Sequence, residues 1–467
     1  MDLRPIGKSI LQDPVLSRLS HLAREKGVPL FLVGGYIRDL LLGIHRQDYD
    51  LALPQEASSF IPAMEEAFGF HFFMIGKEEM GTAAYRIIRS DLAIDLTLFQ
   101  GRTVDEDLQR RDFKINAIAF SLRDERFHWV ESALEDIEKR IIRTVTNQSI
   151  DQDPLRMLRA IRYLCTLDGF ELDRELMEEI SLKKTRIKKI PAERIKMEMD
   201  KILLSRRRTL GMKVLYESGL LLTLLPELKG LESLGQGEYH HLNALSHTLL
   251  VLEKISLAFI WLASGKQDTP LSEEDHLSLY YAALFHDLGK QDTFSQEEDG
   301  SVHFYHHEVY SCLAAERAME KLRFPNLMRD KVLRLIKNHM RILNLSQETK
   351  DPALKRLVNQ MGDLTPLLVI LTLADKEASR GILAIPRDEV AESHCLRILQ
   401  LFKQKEIVHP PSLITGHDVM AMGYLPGPRV GEILNSIREK QVLGEIKTRE
   451  EALKVLGEKF RLDVGLE

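Results

Sequence analysis

Asp48 and Asp50, one residue apart in "HRQDYDLAL", are the first residues whose types and spacing could do chemistry. Side chains at i and i+2 of a strand leave the same face, so both carboxylates would point together, with Tyr49 on the other side. Two carboxylates that close repel unless a cation sits between them, and Mg²⁺ with substrate phosphates is the usual partner. Asp95, in "LAIDLTLF", offers a third carboxylate on a neighbouring strand. Just upstream, Gly34 and Gly35 in "FLVGGYIRD" let the backbone approach a triphosphate closely. The helix start that follows, with Arg38, adds N–H groups and positive charge. Either motif alone is common in surface turns; the pair in this strand context points to a polyanion site.

Those residues need a scaffold. Up to Thr144 short β-like runs ("PLFLVGG", "YDLAL", "AAYRII", "LAIDLTLF") alternate with helical stretches, which predicts a small mixed sheet with packed helices. Residues 145–235 read as helical, ending in the glycine-bearing "KGLESLGQGEYH". Residues 236–400 are again helical and hold 10 of the 16 histidines, which makes them the first place to seek a metal. Residues 401–467 carry "HPPSLITGHDVMAMGYLPGPRVGEIL", whose Pro and Gly separate short helices. The fold class expected is α+β: a mixed-sheet head followed by all-helical segments.

Composition sets outer bounds. The 467 residues suffice for several cores, and 44% apolar with 29% charged is ordinary for a globular chain. Cys165, Cys312 and Cys395 are scattered without metal-ligand spacing, so a reducing compartment, the cytoplasm, is expected rather than a disulfide framework. The start "MDLRPIGKSI" has no signal-peptide core and no run of 18 apolar residues occurs, so no membrane association is expected. A net charge of −6 carries no global nucleic-acid signal, but Lys183 to Arg208 has a local net charge of +8, a candidate RNA-facing stretch.

Further motifs turn the head into a specific pattern. "DLQRRDFKINAIA" places Arg110, Arg111 and Asp112 just before Asn116 on what reads as a helix. "DQDPLRMLRAIRYL" carries Asp153, Arg156, Arg159 and Arg162 at steps of three, one helix face. "ERIKMEMDKIL" follows, with Glu193 and Arg194. With these motifs the chain resembles, over nearly its whole length, the class II tRNA nucleotidyltransferases and their bacterial poly(A) polymerase relatives. The resemblance implies a palm-like head, then helical neck, body and tail. It implies that Asp48 and Asp50 hold two Mg²⁺ ions, with Asp95 as third catalytic carboxylate. It also implies that Gly34, Gly35, Arg38, Arg111, Asp112, Asn116, Asp153, Arg156 and Arg159 serve the incoming nucleotide.

Base choice follows from donor and acceptor types. An ionised Asp153 only accepts hydrogen bonds and Arg156 only donates them. Side by side they match an amino group beside a ring nitrogen, the edge that cytosine and adenine share and uracil and guanine lack. Two mismatched buried contacts at about 1–3 kcal/mol each would reject UTP and GTP by roughly 30- to 10⁴-fold. The plain alternative is that Asp153 and Arg156 form an i, i+3 ion pair. Gln152 stands where the family usually has an acid, and "WVESALEDIEKRIIRTV" keeps Asp136 and Arg143 without the family's glycine pair.

In the histidine-rich segment, His247, the adjacent His286 and Asp287 of "LFHDLGK", and Asp375 resemble the metal-dependent phosphohydrolase pattern called HD. Imidazoles with carboxylates suit a divalent transition metal, with Mg²⁺ also open, and His307 and His339 could extend the site. The reading is a template-independent enzyme that adds C, A or both to the tRNA 3′ end from CTP and ATP, with an appended HD domain. The alternatives are a poly(A) polymerase, an HD phosphohydrolase whose head only binds nucleotide or RNA, and a non-catalytic tRNA-binding module. Only eleven residues separate Asp95 from Asp107. Family members that switch from C to A generally carry a longer loop there, so addition of CC without an efficient terminal A is expected.

Overall fold

The computed structural model describes residues 2–45, 47–69, 71–75, 84–89, 92–99, 101–235, 243–264, 271–299, 301–379 and 389–460. The chain divides into two compact units, Met1–Leu224 and Leu225–Glu467.

The first unit opens with the helices Arg4–Gln12 and Pro14–Glu25. Asp13 lies between them and caps the second, its Oδ1 accepting from the backbone N–H of Val15 (2.9 Å) and Leu16 (3.0 Å). A seven-stranded mixed sheet follows: β1 (Phe31–Val33), β2 (Asp48–Leu53), β3 (Phe73–Ile75), β4 (Ala84–Arg89), β5 (Leu92–Leu98), β6 (Ile118–Ser121) and β7 (Phe127–Trp129), in spatial order β3-β4-β5-β2-β1-β6-β7. Strand β1 is buried throughout, which is why it reads as an unbroken apolar run. β2 pairs parallel with β5 and places Asp50 directly opposite Asp95; β4 runs antiparallel to β5 and places Arg86 opposite Asp95. The pleat turns Tyr49 away from its flanking carboxylates and into the core. There its hydroxyl donates to Asp13 Oδ2 (2.9 Å), and Tyr36 stacks on its ring with centroids 5.4 Å apart.

Two local expectations need correction. The helix expected to run through Arg110–Asn116 ends at Gln109; Phe113 is extended and bridges to Thr144, and Lys114–Asn116 forms a 3₁₀ turn leading into β6. Phe113 and Ile115, both fully buried, draw the chain inward instead of along a surface helix. Asp153 is not on the arginine-bearing helix, which spans Arg156–Thr166. It is extended (φ −143°), as a residue before proline prefers, and its Oδ1 accepts from Leu155 N–H at 3.0 Å.

Helices Arg156–Thr166, Ala192–Leu204 and Arg208–Glu217 pack together. Gly211 lets the third come close: a Cβ there would lie 2.5 Å from Cys165 Sγ and 2.7 Å from Ile202 Cγ2.

The second unit is helical among the described residues except for one hairpin, Phe294–Gln296 with Val302–Phe304. Its main helices are Ala244–Ser264, Glu273–Phe285, His307–Lys321, Asn326–Asn338, Thr365–Ser379 and Glu389–Phe402. The stretches Ala244–Ala263 and Asp351–Ser379 are apolar and long enough to cross a membrane, yet the second is 78% buried inside the unit and the helices of the two pack on each other. A last cluster forms around Ile414, Val419, Ile433, Ile437 and Leu456.

Candidate active site

Strand pairing assembles the acidic site. Asp48, exposed, stands at the start of β2; Asp50 is partly buried and faces Asp95 across the parallel pair. Arg86 forms a two-pronged ion pair with Asp95, its Nη2 2.7 Å from Oδ2. Asp50 keeps the unbalanced charge. Burial, then the charges of Asp95 and Asp48, push its pKa up to about 6, against the pull of Arg111 and Arg38. Asp48, Asp50 and Asp95 line one cleft, with Asp50 and Asp95 opposite each other across the strand pair, and they are the residues that would hold divalent cations there.

Gly34 adopts φ +76°, a conformation that favours glycine, and a Cβ there would stand 3.3 Å from Arg111 Nη1 and 3.4 Å from Asp50 Oδ2. The backbone turn thus passes beside the carboxylates, and the helix Gly35–Leu41 starts from it. A cleft of about 480 Å³ opens over this face, lined by Gly35, Arg38, Asp48, Asp50, Asp95, Arg86, Arg162 and Tyr163 among others.

Of the remaining sequence-derived residues, Arg38, Asp112 and Asn116 are buried, and Arg111, Asp153, Arg156 and Arg159 are partly buried. Arg38 is 4% exposed. Its Nε and Nη2 donate to Asp39 Oδ1 (2.8 and 2.6 Å), its Nη1 to Asn116 Oδ1 (2.5 Å), and its guanidinium lies over the Tyr163 ring. Asn116 Nδ2 donates to Asp112 Oδ1 at 3.0 Å, and Arg159 donates through Nε and Nη2 to Asp112 Oδ2 at 2.9 and 2.6 Å. Burial pushes the Asp112 carboxyl up, but Arg159 and these hydrogen bonds outweigh it and hold the pKa below the usual range. Arg111 donates to Asp107 Oδ2 at 3.1 Å. Arg156 donates to the Ser149 hydroxyl (2.6 Å) and carbonyl (3.2 Å) and to the Arg110 carbonyl (2.7 Å). Asp153 does not pair with Arg156; its Oδ2 accepts from Arg194 Nη2 at 3.0 Å. Sequence reasoning missed Arg86, whose place depends on cross-strand register that no local pattern shows; Arg162, read as part of the arginine face, was not assigned to the site that it lines.

The second unit brings His247, His286, Asp287 and Asp375 together, and His307 and His339 join them. His247 Nε2 lies 3.1 Å from Asp375 Oδ1, and His286 Nε2 lies 3.2 Å from Asp287 Oδ2. His307 Nε2 lies 3.4 Å from Asp287 Oδ1 and 3.1 Å from His339 Nε2. His286, His307 and His339 each set Nδ1 against the carbonyl three residues back (2.9, 2.9 and 2.7 Å), which aims every Nε2 at the centre. Burial, then the charge of His286, pushes His339 down to about 3, so it stays a neutral ligand. Ligand atoms of His247, His286 and Asp375, and of His286, Asp287 and His339, each gather within 4.8 Å of one another at a buried point, a donor set that fits a divalent metal. Lys290 Nζ lies 2.8 Å from Asp287 Oδ2, and a cavity of about 270 Å³ opens beside Asp287, Lys290, His307 and Asp375.

A mixed-sheet head with acidic residues lining a cleft beside a glycine turn is the setting in which the nucleotidyltransferase class is matched. Family models match residues 30–143 as "Poly A polymerase head domain", 169–231 as "Probable RNA and SrmB- binding site of polymerase A", and 293–456 as "tRNA nucleotidyltransferase domain 2". The chain is 31% identical to the A-adding tRNA nucleotidyltransferase of Deinococcus radiodurans, over 90% of this chain and 93% of that protein. It is 33% identical to the CC-adding tRNA nucleotidyltransferase of Thermus thermophilus, over 90% of this chain and 92% of the other. In fold it is similar to the Thermotoga maritima CCA-adding enzyme complexed with tRNA, with a TM-score of 0.60 and 18% identity over 97% of both chains. The chain belongs to the tRNA nucleotidyltransferase family.

Proposed function

We propose that this protein adds nucleotides, C, A or both, to the 3′ end of tRNA from CTP and ATP, with Asp48, Asp50 and Asp95 as its catalytic carboxylates. The observation that carries the reading is the Asp50–Asp95 register across β2 and β5, capped by the Gly34 turn and the cleft. Mg²⁺ bound by the carboxylates would lower the pKa of the attacking 3′-hydroxyl and neutralise the departing pyrophosphate. The chain's own groups do the rest. The turn at Gly34 and Gly35 admits the triphosphate, and Arg111, beside Gly34, supplies charge at the same edge. The Arg38–Asn116–Asp112–Arg159 chain holds the cleft wall rigid and leaves Arg162 lining it. Asp153 and Arg156 serve as the base-reading pair. The division at residues 144, 235 and 400 into head, neck/body, HD domain and tail belongs to this proposal, as does action in the cytoplasm, which the three free cysteines favour.

The histidine cluster supports a second activity in the other unit. His247, His286, Asp287 and Asp375 would bind a divalent metal, with His307 and His339 as further ligands, and the adjacent cavity would admit a phosphoester. The decisive experiment is gel-resolved extension of a tRNA ending at its discriminator base, with CTP and ATP supplied separately and together. Asp48→Ala and Asp50→Ala, each checked for fold, should abolish addition. A folded Asp50→Ala variant with parental transfer activity would overturn the assignment. Extension of an unstructured RNA as readily as of tRNA would favour poly(A) polymerase.

A further inference from the structure

We infer that Arg194 is a specificity-determining positioning residue: by gripping Asp153 it fixes the direction in which that carboxylate reads the incoming base. The inference rests on the reading of Asp153 and Arg156 as the base-reading pair. Asp153 sits in an extended link just ahead of the helix Arg156–Thr166. Two contacts orient its side chain. Oδ1 caps the Leu155 N–H at 3.0 Å, and Oδ2 accepts from Arg194 Nη2 at 3.0 Å. One contact alone leaves a carboxylate free to turn about its Cβ–Cγ bond; two, on different oxygens, set its plane. Each oxygen keeps a further lone pair and the side chain is 29% exposed, so the gripped carboxylate can still accept from a base amino group.

Arg156 is held in the same manner. Its donors to the Ser149 carbonyl and hydroxyl and to the Arg110 carbonyl settle the plane of its guanidinium and leave other N–H groups to spare. Acceptor and donor are thus each oriented by a neighbour that is itself anchored. Arg194 stands in the first turn of the helix Ala192–Leu204. Four residues on, Glu198 Oε2 meets Arg162 Nε at 2.7 Å, with both side chains largely buried. That pair locks the helix of Arg194 against the helix that follows Asp153. The grip is therefore a fixed distance rather than a chance meeting of two surface charges, although Arg194 itself is half exposed.

Arg194 needs no contact with the nucleotide to act. Its removal leaves Asp153 ionised and present but free to rotate, so the penalty for a carbonyl in place of an amino group falls. Discrimination against UTP and GTP should drop by about tenfold or more, while the chemical step on a correctly seated CTP changes little.

The test measures kcat and KM for CTP, ATP, UTP and GTP separately, on a tRNA ending at its discriminator base. The full-length parent is compared with Arg194→Ala, Arg194→Lys, Asp153→Ala and the Asp153→Ala/Arg194→Ala double variant. Arg194→Ala is expected to raise misincorporation about tenfold and KM for CTP, with KM for tRNA unchanged. Arg194→Lys keeps a donor within reach and should recover most of the selectivity. In the Asp153→Ala background, loss of Arg194 should add little. If Arg194→Ala keeps the parental nucleotide ratios and only weakens tRNA binding while Asp153→Ala relaxes them, Arg194 is an RNA contact and the inference falls while the base-reading pair stands. If Asp153→Ala leaves the ratios unchanged, the base-reading pair itself falls and the inference goes with it.

Discussion

Asp50 is where the energetic cost of the acidic site becomes measurable. Its carboxyl is raised from the ordinary 3.8 to about 6, by burial first and then by the charges of Asp95 and Asp48. A shift of about two units disfavours the ionised form in the metal-free fold by about 3 kcal/mol. Because the folded value lies above the unfolded one, the penalty is absent below about pH 4, grows between about pH 4 and 6, and is complete at neutral pH. Asp50→Asn keeps the shape and removes the charge. At neutral pH without metal, this variant should outlast the parent by up to ~3 kcal/mol, or ~6–12 °C in the melting of a unit of this size. At about pH 4 the two should melt alike. Mg²⁺ should raise the melting temperature of the parent, where it relieves the repulsion, and affect the variant much less. Calorimetry in chelator and in Mg²⁺, with nucleotide incorporation followed alongside, gives all the readouts. A variant that melts no higher than the parent at neutral pH, or an equal Mg²⁺ shift in both proteins, refutes the argument. Stability gained together with activity lost would identify repulsion as something the fold tolerates for chemistry.

Three other outcomes are expected. Arg159→Ala leaves the buried Asp112 carboxylate without its main partner, so unfolding by urea should show a loss of about 3–5 kcal/mol, a figure that a loss under 1 kcal/mol would contradict. His286→Ala or Asp287→Ala should strip metal from the purified protein, read by elemental analysis, and remove any phosphodiesterase activity while sparing nucleotide addition; joint loss of both activities in a folded variant would contradict two separate sites. A tRNA already ending in CC should be extended poorly by ATP alone, and robust extension would show that the short segment after Asp95 does not limit A addition. The structure places residues 96–98 of that segment in β5 and starts a helix at Val104, leaving a connection of only a few residues.

Much of the head was legible because its strands announce themselves. The unbroken apolar β1 and the apolar end Leu51–Leu53 of β2 reflect burial on both faces, while the alternation Asp48, Tyr49, Asp50 marks where β2 opens to the cleft on one face. The relation of Asp95 to Asp50 could be proposed but not its register, since that depends on a pairing between strands 45 residues apart in the chain. Arg86 was invisible for the same reason. The stretch Arg110–Asn116 misled because its charges mimic an exposed helix, while Phe113 and Ile115, which decide its course, act through a core that local spacing does not reveal. Asp153 was misplaced by a step-of-three count that ignored Pro154, the residue that takes it off the helix. In the second unit, the HD pair and its flanking His247 and Asp375 carried their own signature. His307 and His339 became full members only when their helices brought two imidazole nitrogens within 3.1 Å.

The two tyrosines that share Asp13 have a consequence for how this enzyme could fail. Tyr49 interrupts the Asp48–Asp50 pair and points into the core, where its hydroxyl reaches Asp13; Tyr36, on the helix behind the glycine turn, stacks on it. One carboxylate, with no part in any reaction, therefore acts as a peg for both the strand that carries the acids and the helix that follows the phosphate turn. In a strand, a slip of one residue exchanges its faces, sending both acids into the core and bringing the phenol out. The peg adds to the cost of that slip, because it would break the Tyr49 hydroxyl's bond to Asp13 Oδ2 and pull a buried ring off Tyr36. Orientation of the chemistry is thus stored in a position outside the cleft, in the link between two helices laid down before the first strand. A change there would silence the site while leaving every residue that lines it in place.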